Sequence, residues 1–153
     1  MGVSFHASGL ILTAAVLAPN LLMLFRQPVQ VPEPAARPRG WAVVLAAEAA
    51  GRIGCFVLPV FRPFPAGGGS LPLAVLMGFC LAVYWFCWIR YVRRGCAYRL
   101  LFAPLLGIPV PMAVFPVLYF ILAGAWIGSV PLLAAGILLG LGHVPESLRL
   151  ART

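Results

Sequence analysis

Apolar residues run through this chain in blocks near twenty residues long, and the short stretches between them hold nearly all of its polar side chains. Crossing about 30 Å of hydrocarbon takes close to 20 helical residues at about 1.5 Å each, so blocks of this length predict membrane-spanning helices. Five are legible, at 8–25, 41–61, 71–89, 104–127 and 130–145. Arg26, then Arg39 and Arg62, then Ser70 and Arg90 bound the first three. Only "GSV" parts the last two, which demands a tight helical hairpin. The fifth block is short and carries Gly136, Gly140 and Gly142. Two threadings therefore stay open: five spans, or four followed by an interfacial or re-entrant end. The expected fold class is all-α, a polytopic transmembrane helix bundle forming one integral membrane domain over residues 1–153.

Composition points the same way. With 63% hydrophobic and 9% charged residues and a mean hydropathy of +1.03, there is too little polar surface for a water-soluble domain of 153 residues. All eleven basic residues are arginine, and the acids are Glu33, Glu48 and Glu146. A net charge of +8 raises the question of nucleic acid, but these arginines sit in connectors between apolar blocks and not on one soluble face. They read as topology signals, and no nucleic-acid partner is expected. Arg26, Arg37 and Arg39 lie in the first connector, Arg90, Arg93, Arg94 and Arg99 in the third, and Arg149 and Arg152 in the tail. On the opposite side stands Arg62 alone. This alternation predicts an N-terminus outside and a C-terminus in the cytoplasm, in the cell's inner (plasma) membrane. The leader "MGVSFHASG" lacks the positive charge of a signal peptide, so the first block reads as a retained span. Its His6 stands where myristoylation needs Ser or Thr.

The connectors differ in character. "RQPVQVPEPAARPRG" has four prolines and predicts an extended strap, whereas "FRPFPAGGGS" predicts a flexible outer turn. "WIRYVRRGCAYRLLF" interleaves Arg90, Arg93, Arg94 and Arg99 with aromatic residues, a pattern suited to lipid headgroups. It reads as a positive-inside anchor in preference to a specific anionic-lipid or partner site. Cys55, Cys80 and Cys87 fall in apolar blocks and Cys96 in a cytoplasmic connector, with no metal-type spacing, so small packing residues are expected rather than disulfides. No metal and no cofactor is expected.

The fourth block contains Pro104, Pro109, Pro111 and Pro116. Each interior proline removes a donor and frees a carbonyl about four residues earlier, so Pro109, Pro111 and Pro116 predict a broken helix whose freed face looks into the bundle or onto water. A structural kink and a transporter-type broken helix both fit that pattern. The spacings Gly124 to Gly128 and Gly136 to Gly140 allow close helix packing.

One block carries both an acid and a base. Glu48 and Arg52 in "AAEAAGRIG" are four apart, with the acid first, so a helix stacks them in the favourable order and the pair neutralises itself. An isolated charge at a helix centre costs about 2.5 to 3.5 kcal/mol on insertion scales, which demands pairing and an inward orientation. Nearby Gly51 and Gly54 leave room for a neighbouring backbone. Counted from the cytoplasmic ends, Asn20, Glu48, Tyr84, Pro109 and Pro111 fall roughly five to seven residues deep, with His143 shallower. If the bundle brings these faces together, its cytoplasmic half holds a polar pocket of Asn20, Glu48, Arg52, Tyr84 and His143. The alternative is a closed hydrogen-bonded network that fixes helix register.

No catalytic residue emerges. "AEAAGR" resembles the E-E-x-x-x-R motif of membrane-embedded CAAX-type proteases, but Ala47 stands in place of the first acid and the further histidine motifs are missing. There is no G-x-S-x-G, H-E-x-x-H or phosphate-cradling loop. An enzymatic role is not expected.

The strings "LAPNLLML", "GRIGCFVLPVF", "FCWIRYVRRG", "GIPVPMAVFPVLYF" and "GLGHVPESL" resemble a group of uncharacterised small multi-span bacterial integral membrane proteins. The resemblance covers nearly the whole chain and implies a membrane protein with no assigned activity. In that group an acid stands at the place of Glu48 without an arginine at 52, so the likeness supports the acid more than the pair. Two expectations follow. The favoured one is a structural or accessory bundle that binds lipids or a membrane partner, or forms a homo-oligomer. The other is a proton-linked or small-solute carrier or sensor built around Glu48.

Overall fold

In a computed structural model, which describes residues 5–33, 36–62 and 70–153, the described residues form helices, 3-10 turns and two isolated β-bridges. Helices α1 (Ala7–Asn20) and α2 (Leu22–Phe25) make one apolar rod. Helix α3 (Trp41–Val57) runs into a 3-10 turn, Leu58–Phe61. Then follow α4 (Leu71–Arg93), the 3-10 turn Tyr98–Leu101, α5 (Pro111–Ile127) and α6 (Val130–Leu150). Four rods are long and apolar enough to cross a membrane: Ala7–Phe25, Trp41–Phe61, Leu71–Arg93 and Val130–Leu150. The expected outer turn falls almost wholly on residues 63–69, outside the described residues.

The short helix is the fourth and not the fifth, which reverses the expectation from the blocks. Residues before a proline are pushed out of the helical region, and the chain obeys this twice. Pro104 and Pro109 stay outside any helix, Leu105 and Ile108 bond each other across a turn, and Pro111 opens α5. Leu106, Gly107 and Val110 take positive φ there, at 53°, 77° and 43°. Pro109 and Pro111 thus delimit the helix rather than break it, and Pro116 alone lies inside. The fifth helix is longer than its block because Ser129 caps it, accepting from the Leu132 N–H at 3.4 Å, and because it continues through Pro145 to Leu150. Glu146, the first residue beyond the block, is compensated by partners described below.

A proline unremarked in the sequence shapes the first rod. Pro19 inside α1 frees the carbonyl of Ala15, and the Trp85 indole of α4 donates to that oxygen at 2.9 Å.

Small residues set the packing. A Cβ on Gly51 would stand 2.2 Å from the Leu139 backbone nitrogen, and one on Gly142 only 2.3 Å from that of Glu48, so α3 and α6 touch backbone to backbone in antiparallel order. Gly124 meets Leu133, and Gly136 meets Ile121, which joins α5 to α6 in the same way. Gly128 plays another part: at φ 70° it ends α5 as a left-handed C-terminal residue, so it is a cap and not a packing surface. Helix α4 packs on α5, while α1 rests on the Leu58–Phe61 turn and on α4. The exterior keeps large apolar side chains such as Ile11, Val43, Leu71 and Val75 exposed.

The arginine-bearing connectors gather at one end. Val29 exchanges backbone bonds with Cys96 and Tyr98, the Tyr91 hydroxyl donates to the Arg26 carbonyl at 2.9 Å, and Arg37 reaches Glu146 near the C-terminus. The first connector forms no helix among its described residues, as a proline-rich strap should. Arg62 lies at the other end, beside the bond from the His6 N–H to the Val60 carbonyl.

Candidate functional site

Glu48 stands about two turns inside α3, and one of its oxygens, Oε1, takes two partners. Arg52, one turn on, donates through Nη2, and His143 Nδ1 of α6 lies 2.9 Å away. The glycine seam makes the second contact possible. Gly142 has no side chain to hold α6 off α3, so the next residue along, His143, reaches the carboxylate. The Glu48 side chain is 13% exposed and that of Arg52 is 51% exposed.

On the facing rods, Asn20 Nδ2 donates to the Val16 carbonyl and to the Tyr84 hydroxyl, both at 2.9 Å. Tyr84 is buried and Asn20 is exposed. Between these two groups lies a cavity of about 510 Å³. Asn20, Glu48, Arg52, Tyr84 and His143 all line it, brought together from four helices. Toward the middle of the bundle its wall is apolar, with Val16, Phe56, Phe120 and Leu139. Toward the arginine-rich end apolar Met23, Leu101, Phe102 and Met112 share the wall with Glu146 and Ser147. The polar groups therefore form a belt whose wholly apolar border lies toward the middle of the bundle.

The proline-bearing helix contributes as its chemistry requires: buried Pro116, with Met112 and Ala113, faces this cavity. Pro111 is buried at the start of α5. Pro109 lies elsewhere, in a groove of about 610 Å³ that it shares with Arg94, Tyr98 and Arg99.

Among the four arginines expected at lipid headgroups, Arg93, Arg94 and Arg99 are exposed. Arg90 departs from that expectation. Its guanidinium donates to the carbonyls of Ala103 at 2.8 Å and Pro104 at 3.2 Å. It clamps the connector whose prolines leave carbonyls without helical partners.

Glu146 also lines the cavity, yet it is engaged on every side. Arg149 grips it with two bonds, Nε to Oε2 at 3.0 Å and Nη2 to Oε1 at 2.8 Å. The Trp41 indole donates to Oε2, and Arg37 stands 3.6 Å from Oε1. Sequence reasoning missed this hub. The spacing of Glu146 and Arg149, three apart on a helix, was a usable signal. The contributions of Trp41 and Arg37, more than a hundred residues away, left none.

Chemically the belt offers both acceptors and donors, with no activated nucleophile in it. Among the described residues no three His, Cys, Asp or Glu side chains gather as a metal-holding group. All four cysteines are buried thiols. No protein-family model, curated protein or solved structure matches the chain.

Proposed function

We propose that this chain is a multi-pass protein of a bacterial plasma membrane, with its N-terminus outside and its arginine-rich end in the cytoplasm, and that it binds a small ligand in its central cavity as a carrier or sensor. Four rods of spanning length, the shorter apolar α5 that carries the chain back between α4 and α6, an apolar exterior and nine connector and tail arginines against one support the membrane part of this reading. The likeness to small bacterial multi-span proteins supports the source.

One observation carries the binding part. Asn20, Glu48, Arg52, Tyr84 and His143 surround an open volume of about 510 Å³, within the range of roughly 300 to 1,000 Å³ typical of ligand sites. A network serving only register would close on itself, as the Glu146 hub does. A structural or accessory role is the second reading, and that hub with the glycine seam favours it, because together they fix α3 to α6 without any ligand.

The test is thiol accessibility in membranes. With the native cysteines replaced, single cysteines are introduced at Leu17, Asn20 and Ser147 in the cavity and at Ser70 at the far end. A membrane-impermeant reagent is then applied from each side. Labelling of the cavity positions from the cytoplasmic side, with Ser70→Cys labelled only from outside, is the expected result. A folded protein whose cavity positions stay unlabelled would leave the structural bundle as the better reading.

A further inference from the structure

The two rods that flank the cavity meet near one end. Helix α1 rests on the Leu58–Phe61 turn, where the Thr13 hydroxyl reaches the Phe56 carbonyl at 3.5 Å. Below that contact, toward the arginine-rich end, the cavity lies between Val16, Leu17 and Asn20 on one side and Glu48 and Arg52 on the other. The half-exposed Arg52 and the exposed Asn20 lie on the two walls of this cleft. The exposure of both residues marks a sideways opening between α1 and α3, and for a spanning helix sideways means lipid.

Accepting the cavity as a ligand site, we infer that its occupant is a membrane amphiphile with a zwitterionic headgroup, a phospholipid carrying phosphate and a primary ammonium, which enters between α1 and α3. Three features support this choice. A polar belt with an apolar wall toward the middle of the bundle matches a headgroup attached to hydrocarbon better than it matches a solute polar all round. The volume, about 510 Å³, accommodates a headgroup and the start of its chains, so the remainder must stay outside, past the exposed Asn20 and half-exposed Arg52.

The third feature is charge. Glu48 and Arg52 are adjacent, so a simple anion is repelled by the first and a simple cation by the second. A headgroup with both charges meets each with its opposite and makes a ring of alternating sign, favoured where the dielectric is low. The donors and acceptors needed are in place. Arg52 engages Glu48 through Nη2, which leaves its Nε and Nη1 donors for phosphate. Arg52 and His143 share Glu48 Oε1, which leaves Oε2 for the ammonium. Asn20 makes both of its bonds through Nδ2, so its carbonyl oxygen is a further acceptor.

The experiment is native mass spectrometry of the full chain, released from vesicles of equal parts ethanolamine and glycerol phospholipid with a few per cent diacylglycerol. The ethanolamine lipid should be retained over the glycerol lipid by at least about tenfold. Glu48→Gln and Arg52→Gln should each abolish that preference. Leu17→Trp, which fills the cleft without altering a charge, should abolish retention of every lipid. It decides the matter even where a charge variant fails to elute as folded protein. Equal or greater retention of the anionic glycerol lipid, or of uncharged diacylglycerol, overturns the inference. So does retention that Leu17→Trp leaves untouched. The thiol labelling of Ser147→Cys, run in parallel, separates the two proposals. Labelling without lipid retention sinks the amphiphile and keeps the cavity as a ligand site, and neither labelling nor retention sinks both.

Discussion

Two glutamates line the same cavity and live in opposite ways. Glu146 has both oxygens bonded, gripped by Arg149 and approached by Trp41 and Arg37, so its charge is used up in tying the ends of α3 and α6 and the first connector together. Glu48 concentrates its bonds on one oxygen, and its arginine is half exposed. The glycine seam begins level with Glu48, where Gly142 meets it, and runs away from Glu146 toward Gly51 and Leu139. A saturated carboxylate is a fastener. A half-engaged one beside open volume is where a ligand finds unused hydrogen-bonding capacity.

The strongest way to break this contrast is to force the seam apart. Gly142→Ala places a methyl against the Glu48 backbone, which cannot move as a flexible side chain would, and should cost about 3 kcal/mol, at the upper end of ordinary overpacking. Thermal unfolding in detergent measures it, with Gly78→Ala as the matched control, since a Cβ at Gly78 meets nothing within 4 Å. Equal midpoints for the two variants would mean that the helices are not in backbone contact.

Glu146→Gln attacks the fastener alone. Losing its charge-assisted bonds while Arg149 stays in place should cost about 2 to 3 kcal/mol by the same measurement. The open side of the cavity is probed by Trp85→Phe, which strips the partner from the Ala15 carbonyl that Pro19 frees. A cost of about 1 to 2 kcal/mol is expected, together with faster thiol labelling at Leu17→Cys as α1 loosens. A smaller effect on stability than that of Glu146→Gln is expected for Glu48→Gln, because its arginine partner, half exposed, can turn to the open cavity. If Glu48→Gln destabilised the protein as much as Glu146→Gln, the two acids would be fasteners alike and the contrast would fail.

Much of the helical plan was legible in the order of residues. Blocks of apolar length gave the rods, and arginine-rich connectors marked the end where Val29, Arg26 and Glu146 now meet partners from other helices. The departures have local causes. In the fourth block, hydropathy ran on through Pro104 and Pro109, but a backbone without N–H groups cannot run on with it, and α5 begins at Pro111. The fifth block stops at 145, whereas its helix runs on to Leu150, because the charge of Glu146 is neutralised by its partners. Arg90 read as a headgroup contact because its sequence neighbours are basic, whereas its bonds go to carbonyls more than ten residues on.

The sequence by itself determined how the chain divides into rods, which residues are too polar for their surroundings, and that Glu48 and Arg52 stack on one face, because hydropathy and helical periodicity act over a few neighbouring residues. Only the tertiary structure decided that Asn20, Tyr84 and His143 face that pair across a cavity, and that Glu146 is closed while Glu48 is half open. Those outcomes depend on which backbones approach each other, and that is set by glycines on one helix meeting the shape of another, a relation no single stretch of the chain contains.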